Sequence, residues 1–312
     1  DIRITEARYG EFDEATGNRE INTIFEGLDP RQISNTLGAQ DADAAKAASA
    51  NMFMMAFGQY FDHGLTFIPK GGNGSIQIGG PGMSMAPGSD NPADLTRATV
   101  VGFENGVPLH ENITSPFVDQ NQVYGSSSLV GQLLRESDGN GSIGAHVLMG
   151  AEDPSAEGFR LMSTLRELLD HHIQHETVFM GTDKGDMTLL EYYPDLLDDD
   201  GNYVAAEVSG LVDNFMGETW PLLIDKNPFM NLLDHFVGGD GRANENVGLT
   251  AMHTVWARNH NYHVELLEAS GFEGTAEELF QAAKALNEAE YQQVVFNDFA
   301  DALLGGLQGS GR

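Results

Sequence analysis

The sequence predicts a mainly α fold with long loops and few short strands. Three observations carry that expectation. From Leu249 to Leu267, apolar residues (Met252, Val255, Trp256, Val264, Leu267) recur near one helical face. From Thr275 to Leu304, a Thr275-x-x-Glu278 capping box precedes Leu279, Ala282, Leu286, Val294 and Leu303 at helical spacing. Period-two alternation, the mark of a half-buried strand, is scarce throughout.

The remaining elements follow in chain order. Residues 1–40 read as irregular. Residues from Ala44 to about Tyr60 favour helix, and Met52, Met55, Gln59 and His63 share one face at spacings of three and four. Pro69 to Pro92, rich in Gly, Pro, Ser and Asn, reads as one long loop, and a loop of that length usually lies over a site. A short helix is expected within 126–136, then a turn at Ser137-Asp138-Gly139-Asn140-Gly141. Residues 158–182, with His171, His172 and His175, read as helical, and Asp198-Asp199-Asp200-Gly201-Asn202 as a turn. Trp220 and Trp256 read as core residues. No repeat and no domain boundary stands out, so residues 1–312 read as part of a single domain.

Composition narrows the function. The 312 residues are 41% hydrophobic, enough for a sizeable core. A formal net charge of -31 argues against nucleic acid, which calls for a basic footprint, and against anionic lipid. The absence of cysteine excludes disulfides, thiolate nucleophiles and a cysteine-held haem. No apolar run approaches the roughly 20 residues of a membrane helix. The chain opens on Asp1 rather than Met, and reads as a processed or excised piece for which secretion is the expectation.

Four segments carry candidate chemistry. In Phe57-Gly58-Gln59-Tyr60-Phe61-Asp62-His63, one helix brings an amide and a carboxylate beside an imidazole, the natural proton carrier near neutral pH. Taken alone, a buried histidine with a local aspartate partner is the plainer reading. In Asp240-Gly241-Arg242-Ala243-Asn244-Glu245, an arginine beside a glycine turn suits an anion, and equally a surface Arg–Glu pair. His253 and His260, seven apart on one helix, suit a metal, but hydrogen-bonded packing is the plainer reading because no carboxylate falls at ligand spacing between them. Ser115, Asp119, Asn121 and a backbone carbonyl alternate as oxygen donors suited to calcium, or to an ordinary turn.

Taken together, and in this order, the motifs are Gly58-Gln59-x-x-Asp62-His63, Ser115-x-Phe117-x-Asp119-x-x-x-Val123-Tyr124-Gly125-Ser126, Gly239-Asp240-x-Arg242-x-Asn244-Glu245 and Leu249-Thr250-x-Met252-His253-Thr254-x-x-x-Arg258-x-His260-Asn261. The set resembles the animal-type haem peroxidases of the peroxidase–cyclooxygenase superfamily over about residues 30 to 304. Pro30-Arg31-x-Ile33-Ser34-Asn35, with Asn227-Pro228 and Asp234-His235, resembles bacterial members.

The resemblance implies the animal haem peroxidase helical fold, with its C-terminal part missing from this chain, and a secreted enzyme that uses hydrogen peroxide to oxidise a small reductant: manganese(II), a halide such as iodide, or a phenol. It implies haem b as the cofactor. His63 matches the distal histidine that moves the peroxide proton, Arg242 the distal arginine that stabilises developing negative charge, and Gln59 the distal glutamine. Asp62 and Glu245 match the carboxylates ester-linked to haem. Asn246 stands where one mammalian member has a haem-linked methionine, so no sulfonium link is expected. Ser115, Phe117 through its carbonyl, Asp119 and Asn121 match a calcium loop.

Two departures qualify the match. Gly64 follows His63 where many members carry a calcium-binding aspartate, so calcium binding is expected to be weakened or rearranged. The proximal histidine has no counterpart: none of the ten histidines sits in an Arg-x-Gly-His setting. It is expected beyond Arg312, in a remaining C-terminal segment that acts as a partner of this piece. A fatty-acid oxygenase of the same superfamily and a haem-free, calcium-dependent adhesion module are the rival readings. Retention of Gln59, Asp62, His63, Arg242 and Glu245 together speaks against the second.

Overall fold

The computed structural model describes residues 12–13, 18–19, 30–38, 51–78, 93–104, 107–213, 215–217, 222–227 and 229–304. They fall into two compact units, Asp1–Ser49 with Phe67–Ile113, and Ala50–Thr66 with Thr114–Arg312. The architecture is mainly α, and among the described residues the strands form six separate two-stranded antiparallel pairs.

The first unit holds the hairpin-like pair β1 (Phe12–Asp13) and β2 (Asn18–Arg19), helix α1 (Pro30–Leu37), β3 (Lys70–Ile78) paired with β4 (Ala93–Ala98), and β5 (Gly102–Glu104) paired with β6 (Val107–Leu109). These elements correct two expectations. The first forty residues contain a helix, opened by Pro30 at a position where its missing N–H costs nothing. The supposed loop from Pro69 begins with nine residues of strand. Its pairing with β4 is irregular between Lys70 and Ser75, where Gly71 and Gly74 take positive φ, so glycines that read as loop formers serve a bulged strand. Residues 79–92 lie outside the described residues.

The second unit carries the core and the site. Helix α2 (Met52–His63) starts at Asn51, whose side chain accepts from Phe53 N at 3.0 Å, a sound N-cap. The expected helical stretch 44–50 lies outside the described residues. Helices α3 (Asn121–Tyr124) and α4 (Ser128–Leu133) follow, then β7 (Arg135–Ser137) with β8 (Ile143–Val147), turning at the expected Asp138–Gly141. Residues 158–182 are not one helix. They divide into β10 (Arg160–Met162), paired with β9 (Met149–Glu152), then α5 (Leu165–Gln174), then β11 (Val178–Thr182), paired with β12 (Gly185–Thr188). A Thr164–Glu167 capping box starts α5 where the wider periodicity gave no boundary. Short α6 (Leu189–Tyr192) and α7 (Ala205–Asp213) complete this part.

Two long helices close the unit. Helix α8 (Val247–Ala269) is capped by Asn246, and α9 (Ala276–Gln293) by the anticipated Thr275–Glu278 box, before a π-helical turn (Val294–Phe299) and α10 (Ala300–Leu303). The buried stripe of α9 is Leu279, Phe280, Ala283, Asn287 and Tyr291; after Leu279 it runs one position later than expected, so Leu286 is exposed, and Leu303 of α10 is exposed as well. Ala56, Phe57 and Tyr60 of α2 pack with Leu249, Met252 and Trp256 of α8 and Tyr291 of α9 in one core cluster. A second cluster gathers α4, α5 and α7 around Leu133, Leu169 and Leu211. Trp256 is buried as expected, and Trp220 lies outside the described residues. Among the described residues no helix is long and apolar enough to cross a membrane.

Candidate active site

The end of α2 and the turn before α8 meet. Gly238, Gly239 and Gly241 make this possible. A Cβ on Gly239 would lie 2.1 Å from the Asn121 carbonyl oxygen and 2.4 Å from Gly125 N, and one on Gly241 would lie 2.5 Å from Leu223 O. Only glycine lets the chain run this close. It carries Asp240 into the interior, where 3% of its surface remains exposed. Asp240 caps the 3₁₀ turn Gly241–Asn244, accepting from Arg242 N at 2.9 Å.

Arg242 folds back on this acid. Its Nε donates to Asp240 Oδ1 at 2.9 Å and its Nη2 to Oδ2 at 2.7 Å, the bidentate match of guanidinium to carboxylate. Nη2 also donates to the carbonyls of His63 (3.0 Å) and Thr66 (2.9 Å), so the cation closes the C-terminal end of α2. Burial opposes ionisation of Asp240, but the hydrogen bonds and charge of Arg242 outweigh it and hold the carboxyl below its usual range.

His63 lies inside this corner, 5% exposed. Its Nδ1 is 4.0 Å from Asp240 Oδ1 and its Nε2 is 3.7 Å from Glu245 Oε2. Burial first, and the Arg242 charge second, lower its pKa against the pull of Asp240 and Asp62, so the ring is neutral at neutral pH and able to accept a proton. Gln59, one turn earlier on α2, donates from Nε2 to Glu245 Oε2 at 2.8 Å and accepts at Oε1 from Asn246 Nδ2 at 2.7 Å. Burial, then the charge of Asp225, push the Glu245 carboxyl above its ordinary range despite Arg242 and the Gln59 bond. Asp62 is exposed beside His63. Met52 and Met55, on the same helix, expose 72% and 63% of their surface.

The structure therefore gathers Gln59, His63, Arg242 and Glu245, with Asp62 at the rim. Sequence reasoning missed Asp240, Asn246 as the partner of Gln59, and Gln122. Gln122 is 1% exposed and donates from Nε2 to Tyr60 O at 2.7 Å and Tyr291 OH at 3.1 Å, tying α2 to α9. The glycines around Asp240 were the available signal that this acid is drawn inward.

The calcium candidates come together but close on one another. Ser115 Oγ donates to Asp119 Oδ2 at 2.5 Å, and Asn121 Nδ2 donates to Gly64 O (2.6 Å), Ser115 O (3.3 Å) and Asp119 Oδ1 (3.4 Å). A donor thus points where a cation would call for acceptors, while Asn121 Oδ1 is buried without a partner. Phe117 is exposed, and its N–H donates to Ser115 Oγ at 3.3 Å. Gly64 adds no acid, and a Cβ there would fall 2.2 Å from Gln122 Nε2. Among the described residues no group of three or more His, Cys, Asp or Glu is placed to hold a metal ion.

The two histidines of α8 are packed as expected, whereas His172, on a helix face that reads as solvated, is buried. His253 and His260 of α8 are buried, with ring nitrogens facing the carbonyls of Gln122 (3.2 Å) and Ala145 (3.0 Å). Burial lowers each to a pKa of about 4. His172 of α5 faces Leu133 O at 2.7 Å and is lowered by burial to about 3.

The family model described as animal haem peroxidase matches residues 2–151 and 215–310. The chain belongs to the animal haem peroxidase family. It is 24% identical to human thyroid peroxidase over 261 residues, 81% of this chain and 25% of that protein. It is 35% identical to the chorion peroxidase of Aedes aegypti over 112 residues, 33% of this chain and 14% of that protein. This member of the family thus spans a quarter or less of those two relatives. Peroxidase A from Dictyostelium discoideum aligns with a TM-score of 0.62 at 16% identity, over 95% of this chain and 48% of the other. The fatty acid α-dioxygenase of Arabidopsis thaliana aligns with a TM-score of 0.52 at 15% identity, over 88% of this chain and 31% of the other. Such structural likenesses show a shared peroxidase–cyclooxygenase fold, in a family whose oxidoreductases use haem.

Proposed function

We propose that this chain forms the distal half of a haem peroxidase site that reduces hydrogen peroxide and oxidises a small reductant. The observation that carries the reading is the meeting of His63 and Gln59 with Arg242 and Glu245, up to 186 residues apart, around one neutral imidazole. The donor set fits the distal side of haem b: the imidazole is recessed, while the carboxylates of Asp62 and Glu245 flank it on more open ground. Those two acids would hold the haem, by ester links or by hydrogen bonds. The haem supplies the electron transfers that peroxide reduction requires.

This chain's own residues handle protons and charge. His63 Nε2 takes the proton from the bound peroxide and returns it to the departing oxygen. Burial, and after it the positive charge of Arg242, keep the imidazole neutral between turnovers, and that charge favours negative charge developing on oxygen. Gln59, fixed at both ends of its amide, orients water or a small anion beside His63. A histidine to hold the haem iron would come from a further stretch of the same protein, since no histidine here lies in the Arg-x-Gly-His setting that the family uses. Calcium would be held by Ser115, the Phe117 carbonyl, Asp119 and Asn121 once the Asn121 amide presents its oxygen.

The net charge of -31 favours a cation among the reductants, and manganese(II) is the family-compatible one. Secretion is part of the same reading.

The test is the visible absorption spectrum of the native protein during addition of peroxide. A Soret band that shifts with peroxide supports the reading; no Soret band when haem is offered to the full protein overturns it in favour of a haem-free module. Oxygenated product from a fatty acid without peroxide would favour the dioxygenase reading. Turnover indifferent to manganese removal would refute that choice of reductant.

A further inference from the structure

We propose that Asp240 is a positioning residue that holds the His63 imidazole in its Nδ1–H form, leaving Nε2 bare to accept a proton. The inference deepens the site reading above and rests on it for its functional meaning.

The two ring nitrogens of His63 meet different surroundings. Nδ1 is sealed from solvent and has no hydrogen-bond partner within the protein; a carboxylate oxygen of Asp240 lies 4.0 Å from it. A bare Nδ1 would aim its lone pair at that carboxylate, and the two would repel. An N–H there meets it favourably, all the more where little water screens the field. On the other side, Nε2 faces Glu245, whose Oε2 already accepts from Gln59. That carboxyl is more open to solvent and is raised toward its neutral form by burial and by Asp225, so its hold on an Nε2 proton is the weaker one. The tautomer follows from this asymmetry.

Asp240 is well placed to act as a fixed charge. Its side chain is 1% exposed and is locked by three donors of Arg242, the backbone N–H, Nε and Nη2. Tyr60 OH and His253 Nε2, each buried without a partner, also feel its charge. A buried water hydrogen-bonded to such groups would span the gap between Oδ1 and Nδ1.

The experiment is long-range ¹H–¹⁵N correlation of the histidine rings at pH 7 on the haem-free chain, with the His63 signals assigned by their loss in His63→Gln. The expected result is a protonated Nδ1 and a bare Nε2, with that preference lost in Asp240→Asn. If the single variant fails to fold, Asp240→Asn combined with Arg242→Gln, which removes both partners of the buried pair, carries the same measurement. A proton on Nε2 in the wild type overturns the inference, and so does an unchanged tautomer in the variant. In the haem-loaded protein, Asp240→Asn should slow the peroxide reaction roughly ten- to a hundredfold, by analogy with loss of the outer partner of a metal-ligating histidine. The tautomer is read without haem, so a chain with the expected tautomer and no Soret band keeps this inference while the peroxidase reading falls.

Discussion

The side chain of Asn246 serves two helices at once: its Oδ1 accepts from Leu249 N at 2.9 Å to cap α8, and its Nδ2 donates to Gln59 Oε1 at 2.7 Å on α2. Replacement separates the two roles. Asn246→Ala should cost about 1 kcal/mol through loss of the cap. Asn246→Ser keeps a capping oxygen and should stay within a few tenths of a kcal/mol of wild type, while Gln59 loses its anchor. Urea unfolding of both variants, with peroxide reaction rates of the loaded protein, checks this; equal stability of the Ala and Ser variants would show that the cap contributes little.

Arg242 holds a buried carboxylate in place. Removing one partner of such a pair leaves the other charge uncompensated, so Arg242→Ala should destabilise by about 3–5 kcal/mol. Arg242→Lys keeps the charge but loses the two-pronged contact with Asp240 and should fall between. Chemical denaturation decides; a loss below about 1 kcal/mol for the Ala variant would mean that Asp240 is stabilised mainly by other groups.

Gly64 has ordinary helical φ, so its constraint is space alone. A side chain there meets the Gln122 amide, which is engaged with Tyr60 O and Tyr291 OH. Gly64→Ala should therefore destabilise by about 1–3 kcal/mol, the range for overpacking. Gly64→Asp should do the same in a chelator, and recover part of the loss with calcium if the Ser115–Asn121 loop is a calcium site. Thermal unfolding with and without calcium reads both.

His63→Gln should lower the rate of the peroxide reaction in the loaded protein by roughly 10²- to 10⁴-fold, the usual contribution of a positioned acid–base group. Stopped-flow spectroscopy measures it. A smaller loss would move the proton-handling role to another residue, with Glu245 the nearest candidate.

Acid should weaken the fold through histidines kept neutral by burial. His172 (about 3), His253 and His260 (about 4 each) have folded pKa values below their unfolded value. Above the unfolded value both states are neutral and nothing is gained or lost. As pH falls below it the unfolded chain binds protons first, so stability declines from about pH 6.5 toward pH 4. Unfolding at pH 5.5 should take up roughly three protons from these residues. Calorimetry in buffers of different ionisation enthalpy counts them, and an uptake near zero would contradict the burial of these rings.

The long helices were legible because their signals are local. Thr275 and Glu278 lie within one turn, and the reciprocal bonds they make need nothing from the rest of the chain. The buried face of α9 was less legible, because Leu286 satisfies helical spacing as well as Tyr291 does and only the packing partners choose between them. The segment 158–182 was misread because backbone pairing with β9 and β12 overrides helical preference.

The sequence by itself determined the residue types of the site and the order in which they arrive: Gln59 and His63 one turn apart on a helix, then an arginine and a glutamate in a glycine-bordered turn. Tertiary structure alone decided which charges face which atoms. Asp240 reads as one of 47 acids in a very acidic chain. It becomes the buried counter-charge of Arg242 and the neighbour of His63 only because Gly239 passes within backbone contact of Asn121 and Gly125. The physical reason is range. Helical spacing and capping are settled over a few residues, whereas burial, and the electrostatics that burial strengthens, depend on contacts between segments 179 residues apart.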